Sequence, residues 1–326
     1  MAIATAPVLR EQLLDRRQKL EEAIAMFDQN RELMRLLRDV DAALGRMDRG
    51  RFGLCEVCHD PIEAERLIAD PMTQFCLGHL TLAQQHALEE DLGMAARIQQ
   101  GLLPKRNLSI DGWEVSYHYE ALGPVSGDYC DLVCAEDGHL YFIFGDVSGK
   151  GVAASMLTAH LHAMFRTLIS VGLPLRQLVE RASRVFCEST LPTHFATLVC
   201  GRADLKGEVE ICNAGHLPPL LIRQGEVTSI EATGLPLGMF CNEHFKVYKA
   251  QLAPGDTILL YTDGLSEARN MMGVEYGVER LSRLAGESHQ LPAQDLVGAC
   301  LDELAAYQYG ATREDDLTLM AIRRAS

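Results

Sequence analysis

The sequence predicts an α+β fold built on antiparallel sheets, preceded by a helical segment that carries a small cysteine-rich insert. Three observations support this. From about residue 108 the texture changes to mixed strand-like and helix-like runs. Two helical runs after Gly151 follow each other directly, and several strands then come in succession, which is not the alternation of a parallel sheet. Before residue 108 the periodicity is helical except in a Cys-rich stretch between residues 50 and 80.

Residues 9–47 place Leu9, Leu13, Leu20, Ile24, Phe27, Met34, Leu37, Val40, Leu44 and Met47 at spacings of three, four or seven, with charged residues between them. Two readings fit. Asp28-Gln29-Asn30 breaks the run into a helical hairpin with Asn30 capping the second helix, or one helix of ~57 Å runs through at ~1.5 Å per residue. A further amphipathic helix places Leu88, Leu92, Ala95, Ile98 and Leu102 on one stripe and stops at Pro104. That stripe packs on its own domain or pairs with a second copy as a short coiled coil.

Between these helices, Cys55-x2-Cys58 and Cys76-x2-His79 stand seventeen residues apart. Two such knuckles supply four soft ligands for a tetrahedral Zn²⁺, and with every position filled by protein the ion is structural. It would stabilise a segment too short to form its own core. The stretch GRFGLCEVCHDPIEAERLIADPMTQFC (50–76) resembles the zinc finger of the DksA/TraR family, with His79 as the fourth ligand and His59 where a glycine often sits. Members of that family reach RNA polymerase through an acidic coiled-coil tip. Here Asp28 is the one acid at the candidate tip, so a regulatory or dimerising module is the preferred reading and a polymerase contact the alternative.

In the second part, strand-like runs cover residues 113–119, 139–145, 195–201, 207–214 and 256–263, and helix-like runs 152–169, 174–189 and 292–307. Four aspartates sit in polar or glycine-rich turns: Asp128 in VSGDYCD (125–131), Asp146 in FGDVSGKG (144–151), Asp263 in YTDGL (261–265) and Asp315 in EDDLT (314–318). The last three stand where a strand-like run ends or begins, so residues distant in sequence meet. Any one of them alone reads as a turn former. Four converging carboxylates repel unless a hard cation neutralises them, and Mg²⁺ or Mn²⁺ with oxygen ligands is the usual answer.

Six ordered segments, AARIQQGLLP (95–104), VSGDYCD, GDVSGKGV (145–152), NAGHLPP (213–219), YTDGLSEA (261–268) and DDLT (315–318), resemble the type 2C metal-dependent (PPM) protein serine/threonine phosphatases in their bacterial SpoIIE/RsbU branch. The resemblance covers roughly residues 90–324. It implies an αββα sandwich of two antiparallel sheets flanked by helices, over residues 106–326, after a regulatory segment at 1–80 and a linker helix at 81–105. It implies two Mn²⁺ or Mg²⁺ ions, with Asp146 bridging both and the Val147 carbonyl supporting one. Asp128 would act at one ion largely through water, and Asp263 and Asp315 would hold the other; Asp316 ranks below Asp315. The implied substrate is a phosphorylated STAS-type anti-sigma-factor antagonist in a partner-switching pathway. Ser148 stands where many eukaryotic relatives carry a His proposed as general acid, and no clear phosphate-clamping Arg is seen, so the acid is unassigned. A homodimer through the N-terminal and linker helices is expected, as is a phosphatase of small metabolites as a rival activity.

Other signals weigh less. The segment 144–151 fails as a nucleotide-binding loop because Phe144 and Gly151 replace the required glycine and hydroxyl residue. Lys150 reads as a solvated turn residue, His216 as structural, and Met156, His160, Met164 and Phe165 as a core face. A net charge of −15 argues against a nucleic-acid binder and against attraction to anionic membranes. No apolar run approaches the ~18–20 residues that span a bilayer, and no secretory signal is seen. Seven of the ten cysteines are scattered among apolar residues, a pattern that fits a reducing cytoplasm better than a disulfide framework.

Overall fold

The structure is a computed structural model that describes the chain except residues 1, 27–30, 81, 111, 192 and 326. Its contacts divide the chain into two units, Met1–Glu90 and Asp91–Ser326.

In the first unit, α1 (Ala2–Met26) and α2 (Arg31–Asp48) form a helical hairpin. Leu13 meets Val40, Ala43 and Leu44 in a buried cluster, and Arg10–Asp48 and Arg17–Asp41 ion pairs at 2.8 and 2.9 Å tie the two helices together at the surface. Of the two readings of residues 9–47, the hairpin is therefore the one adopted. The break expected at Asp28-Gln29-Asn30, its Asn30 cap and the acid Asp28 lie outside the described residues. The cysteine-rich stretch follows, with the short α3 (Ala64–Ala69) and a second buried cluster of Leu9, Cys55, Ile62 and Leu67. The helix α4 (Leu82–Leu102) runs through the division and ends before Pro104.

The second unit has four layers. One sheet is formed by β1 (Asn107–Ile110), β2 (Trp113–Glu120), β7 (Leu220–Arg223), β8 (Glu226–Ser229), β10 (Thr257–Tyr261) and β11 (Leu317–Arg324), in the order β1-β2-β11-β10-β7-β8. The other is formed by β3 (Asp128–Cys134), β4 (Leu140–Val147), β5 (Ala196–Ala203), β6 (Glu208–Ala214) and β9 (Tyr248–Gln251), in the order β3-β4-β5-β6-β9. Every named pair is antiparallel. The sheets face each other across Phe142, Phe144, Val199, Ile211, Leu260 and Met320, all almost fully buried.

The helices α5 (Val152–Ser170) and α6 (Leu175–Ser189) cover the second sheet through Leu161, Phe165, Leu178 and Phe186. On the first sheet, α8 (Val278–Glu287) and α9 (Ala293–Tyr307) bury Leu281, Leu296 and Leu304, while α7 (Asp263–Ser266) is a single turn leaving β10. The α+β class with two antiparallel sheets flanked by helices is the observed one.

Several elements differ from the sequence reading. Asp128 opens a strand rather than sitting in a turn. The acids at 128 and 131 made that run look polar, yet both are buried: Arg166 of α5 clamps Asp131 with two bonds of 2.7 and 2.9 Å, and the hydroxyls of Thr262 and Thr318 hold Asp128. His162 Nδ1 approaches the same carboxylate at 3.3 Å. The strands β1, β7, β8 and β9 span only four residues each, too short for a periodicity signal. On α5, Met164 and Phe165 are core as expected, but Met156 faces solvent. Cys187 of α6 and Cys241, expected to be independent thiols, form a disulfide across 54 residues.

A cross-link over that length removes ~4 kcal/mol of unfolded-chain entropy. Reduction with dithiothreitol, or Cys187→Ser, should therefore lower the melting temperature of the second unit by roughly 10 °C, read by differential scanning calorimetry against the oxidised chain.

Candidate metal centre

The register of the second sheet builds half of the site. Asp128 at the start of β3 lies directly opposite Asp146 near the end of β4. The chain between them closes tightly, since the Val147 N–H donates to the Gly127 carbonyl at 3.1 Å. A Cβ on Gly127 would come 3.0 Å from both Asp146 Oδ1 and the Val147 carbonyl oxygen. These two oxygens therefore flank one small space that a side chain at 127 would fill.

The first sheet supplies the other half. Asp263 begins α7 at the end of β10, and Asp315 and Asp316 immediately precede β11, the neighbouring strand. Gly264 presses against this second segment: a Cβ there would sit 1.7 Å from the Asp316 carbonyl oxygen. Only glycine lets the two acidic loops approach this closely.

The acids differ in what holds them. Asp316 is braced on three donors, the Leu122 N–H at 2.7 Å, the Ser126 hydroxyl at 2.7 Å and the Gly127 N–H at 3.0 Å. Asp128 Oδ2 accepts from the hydroxyls of Thr262, at 3.1 Å, and Thr318. Asp315 Oδ2 accepts from Lys150 Nζ at 2.9 Å, so Lys150 is an ion-pair partner of the site rather than a purely solvated turn residue.

Asp146 carries the strain of the arrangement. Burial, and after it the charges of Asp263, Asp315 and Asp316, raise its carboxyl to about 7. Burial and then Asp315 raise Asp263 as well, and burial raises Asp128 well above the ordinary carboxylate range. Hard oxygen donors that repel each other in this way fit a divalent cation, and the chemistry of the set fits Mn²⁺ or Mg²⁺ better than a softer ion.

The structure brings Asp128, Asp146, Val147, Asp263 and Asp315 to one end of the two sheets. It adds residues that motif reading did not single out, Thr262 and Thr318 under Asp128 and Gln99, and it makes Asp316, ranked below Asp315 in the sequence, a brace. The Gln99 side chain donates to the Ser126 carbonyl at 2.8 Å and Thr158 Oγ1 at 3.1 Å, and accepts from the Ser126 N–H at 3.0 Å. Ser126, Thr262 and Thr318 stood inside the quoted motifs, but nothing in their spacing announced the pairing.

His216 is structural. Its Nε2 faces the Tyr261 carbonyl at 3.2 Å and so carries the proton, leaving Nδ1 to accept from Thr197 Oγ1 at 2.9 Å. Burial lowers its pKa to about 4, so the ring is neutral near pH 7. Ser148 is likewise committed, accepting from the Phe195 N–H at 2.9 Å.

Beside the acids lies a cleft of about 80 Å³ lined by Asp263, Glu267, Arg269, Gln308, Arg313, Glu314 and Asp315, among others. Arg313 is held by Glu120 at 2.8 Å and the Ala121 carbonyl at 2.7 Å, and Arg269 by Glu275 at 3.0 Å.

In the first unit, one ligand atom each from Cys55, Cys58, Cys76 and His79 lies within 4.8 Å of all the others, the geometry of a metal site. Cys76 Sγ is 3.2 Å from His79 Nδ1 and 3.8 Å from Cys58 Sγ. Burial raises the Cys55 thiol, but the N–H groups of Cys58, Cys76 and Val57 more than offset it and lower the pKa, favouring the thiolate that binds metal. His59 holds φ 62°, the left-handed conformation in which glycine is at ease.

The profile of the family described as Stage II sporulation protein E (SpoIIE) matches residues 136–325, more than half of the chain. This chain belongs to the SpoIIE family. Among curated relatives, the phosphoserine phosphatase RsbU of Bacillus subtilis is 27% identical over 245 residues, covering 74% of this chain and 72% of RsbU. Protein IcfG of Synechocystis is 26% identical over 263 residues, 72% of this chain but 41% of its own length. The SpoIIE-family chain thus spans well under half of that relative. Among solved structures, the RsbU and RsbW domains of Rv1364c from Mycobacterium tuberculosis match with 30% identity and a TM-score of 0.57, over 68% of this chain and 62% of that one. The SiaA-PP2C domain of Pseudomonas aeruginosa matches in fold with a TM-score of 0.65 at 22% identity, over 74% of this chain and 99% of that domain.

The raised Asp146 carboxyl sets a sign for pH. Because its folded pKa lies near 7 and above the unfolded value, the contribution of this group favours the folded state at acid pH and is lost as pH rises through 7. Metal-free protein should therefore melt higher at pH 5.5 than at pH 8, and saturating Mn²⁺ should remove or reverse that difference in a thermal-shift series.

Proposed function

We propose that this chain is a metal-dependent protein phosphatase that hydrolyses phosphoserine or phosphothreonine on a partner protein. The observation that carries the proposal is the convergence of Asp128, Asp146, Asp263 and Asp315, the last two lining an open cleft, with Asp146 raised to about 7 by burial and by its acidic neighbours. Kinship with RsbU, named a phosphoserine phosphatase, supports it. The family's usual substrate suggests a phosphorylated STAS-domain protein in sigma-factor partner switching.

Asp146 and the Val147 carbonyl would hold one Mn²⁺ or Mg²⁺ with Asp128 at its periphery; Asp263 and Asp315, together with Asp146, would hold the second. Such ions, when bound, supply a more acidic water as nucleophile and neutralise the phosphoryl oxygens. The chain's own residues set the geometry. Thr262 and Thr318 hold one oxygen of Asp128, and the strand register sets this residue opposite Asp146. Asp316 fixes the 122–127 loop, so the oxygens beside Gly127 keep their spacing. Lys150 offsets part of the charge on Asp315 while the ion is absent. His216 is neutral and engaged at both ring nitrogens, so solvent water would supply the proton to the leaving seryl oxygen.

The first unit belongs to the same reading as a regulatory module, with Zn²⁺ held by Cys55, Cys58, Cys76 and His79. Its domain would end near residue 80 and the linker helix near 105. Leu88 and Ile98 on α4 are exposed and available to a second copy, which favours a homodimer. Among the described residues no helix is long and apolar enough to cross a membrane, and a cytoplasmic location accords with the proposed substrate.

Phosphate release from a phosphorylated STAS-domain protein in Mn²⁺ tests the activity. Asp146→Asn and Asp263→Asn should each lower kcat by ~100-fold or more, as loss of a principal electrostatic group does. Activity retained in both variants would overturn the mechanism. Separately, Cys76→Ser should abolish stoichiometric zinc in atomic-absorption measurements and loosen the first unit without altering the second unit's melting.

A further inference from the structure

The segment after Asp263 contains a tight turn whose tip is apolar and exposed. Met272 is 82% exposed, Met271 73% and Val274 53%, and Tyr309, on the adjoining turn, is 86% exposed. Such side chains usually fray or fold inward on a mobile loop. Here the backbone is fixed. Asn270 Oδ1 accepts from the Met272 N–H at 2.9 Å and the Val274 N–H at 3.1 Å, while the Gly273 N–H donates to the Asn270 carbonyl at 2.8 Å. Arg269 and Glu275 close the base through a bridge and an ion pair of 3.0 Å.

The turn is also mounted on α9. The Tyr307 hydroxyl donates to the carbonyls of Val274 and Glu275, each at 3.0 Å, and the Tyr276 hydroxyl bonds Glu303. Arg280 stacks over the Tyr307 ring at 4.7 Å. Met271 lies against Gly310, joining this turn to the one that carries Tyr309.

The same two turns wall the acidic cleft. Arg269 comes from one, and Gln308, Arg313, Glu314 and Asp315 flank the other. Both arginines are already paired to carboxylates outside the cleft lining, Glu275 and Glu120, so Glu267 and Glu314 leave the rim acidic. A rigid apolar knob beside an acidic rim is complementary to a surface that presents apolar and basic groups together. Methionine suits such a contact because its unbranched, polarisable side chain adapts to the facing surface.

We propose that Met271, Met272, Val274 and Tyr309 form the docking surface for the phosphoserine-bearing protein, covering an apolar residue next to the phosphoserine while Glu267 and Glu314 face its basic neighbours. This rests on the phosphatase reading and adds the substrate-recognition element to it. The hydrogen bonds and ion pair described for the turn 269–276 involve none of the aspartates assigned to the ions, so it sets affinity for the protein and leaves the chemistry alone.

Two synthetic phosphoserine peptides of equal length test it, one with leucine and lysine around the phosphoserine and one with glycine and lysine, alongside p-nitrophenyl phosphate, all in Mn²⁺. The wild type should favour the leucine–lysine peptide by about tenfold in kcat/KM, carried by KM. Met271→Ser/Met272→Ser should erase that preference and leave p-nitrophenyl phosphate turnover unchanged, and Met271→Leu/Met272→Leu should retain it. Equal use of the two peptides by wild type, or a preference that survives the serine variant, overturns the docking surface while p-nitrophenyl phosphate turnover upholds the phosphatase. A wild type that hydrolyses none of the three overturns the phosphatase reading and the docking surface with it.

Discussion

Mutual repulsion among acids is the constraint around which the second unit is arranged. Asp128, Asp146, Asp263, Asp315 and Asp316 are gathered where two sheets end, and burial makes the charges of Asp128, Asp146 and Asp263 costlier than in water. The chain relieves only part of this. Asp316 takes two N–H donors and a hydroxyl, Asp128 takes two threonine hydroxyls, and Asp315 takes Lys150. Asp146, the acid pressed by three others, has no side-chain donor of comparable strength among the described residues. The distribution sets Asp316, which braces a loop through three donors, apart from Asp146, which has no such partner. The packed sheets beneath them keep the assembly in place.

That tension is transmitted outward along identifiable contacts. The loop carrying Ser126 and Gly127 is held from one side by Asp316 and from the other by Gln99 of α4, whose amide also reaches Thr158 of α5. Farther along β3, Asp131 is clamped by Arg166 of the same helix. Two polar anchors roughly two turns apart on α5 therefore seat that helix on the strand that begins with Asp128. Displacing α5 would disturb both anchors together and alter the space beside Asp146.

How legible this was depended on the kind of signal. The strands at 113–120, 140–147, 196–203, 208–214 and 257–261 and the three long helices α5, α6 and α9 were readable because each repeats its pattern over five residues or more. The four-residue strands were not, because two inward positions do not make a period. The run 128–134 was misjudged because its acids look like turn residues until Arg166, 35 positions away, is known to cover one of them. The same holds at the site. The aspartates were visible through their glycine-rich settings, whereas Thr262, Thr318 and Gln99 act only through partners that the fold brings near. The disulfide between Cys187 and Cys241 was invisible for a similar reason: its two halves carry no spacing signal at 54 residues apart.

Close packing of main chain on main chain gives the centre a rigidity that side chains alone would not. Gly264, next to Asp263, rests on the Asp316 carbonyl, and Gly145, next to Asp146, would place a Cβ 2.2 Å from the Thr197 carbonyl oxygen. At either place a single added methyl must push a strand aside, and with it an aspartate. The interior of the centre is therefore closed to gradual adjustment. Residues can be exchanged without moving any acid only at the periphery, in turns such as 269–276.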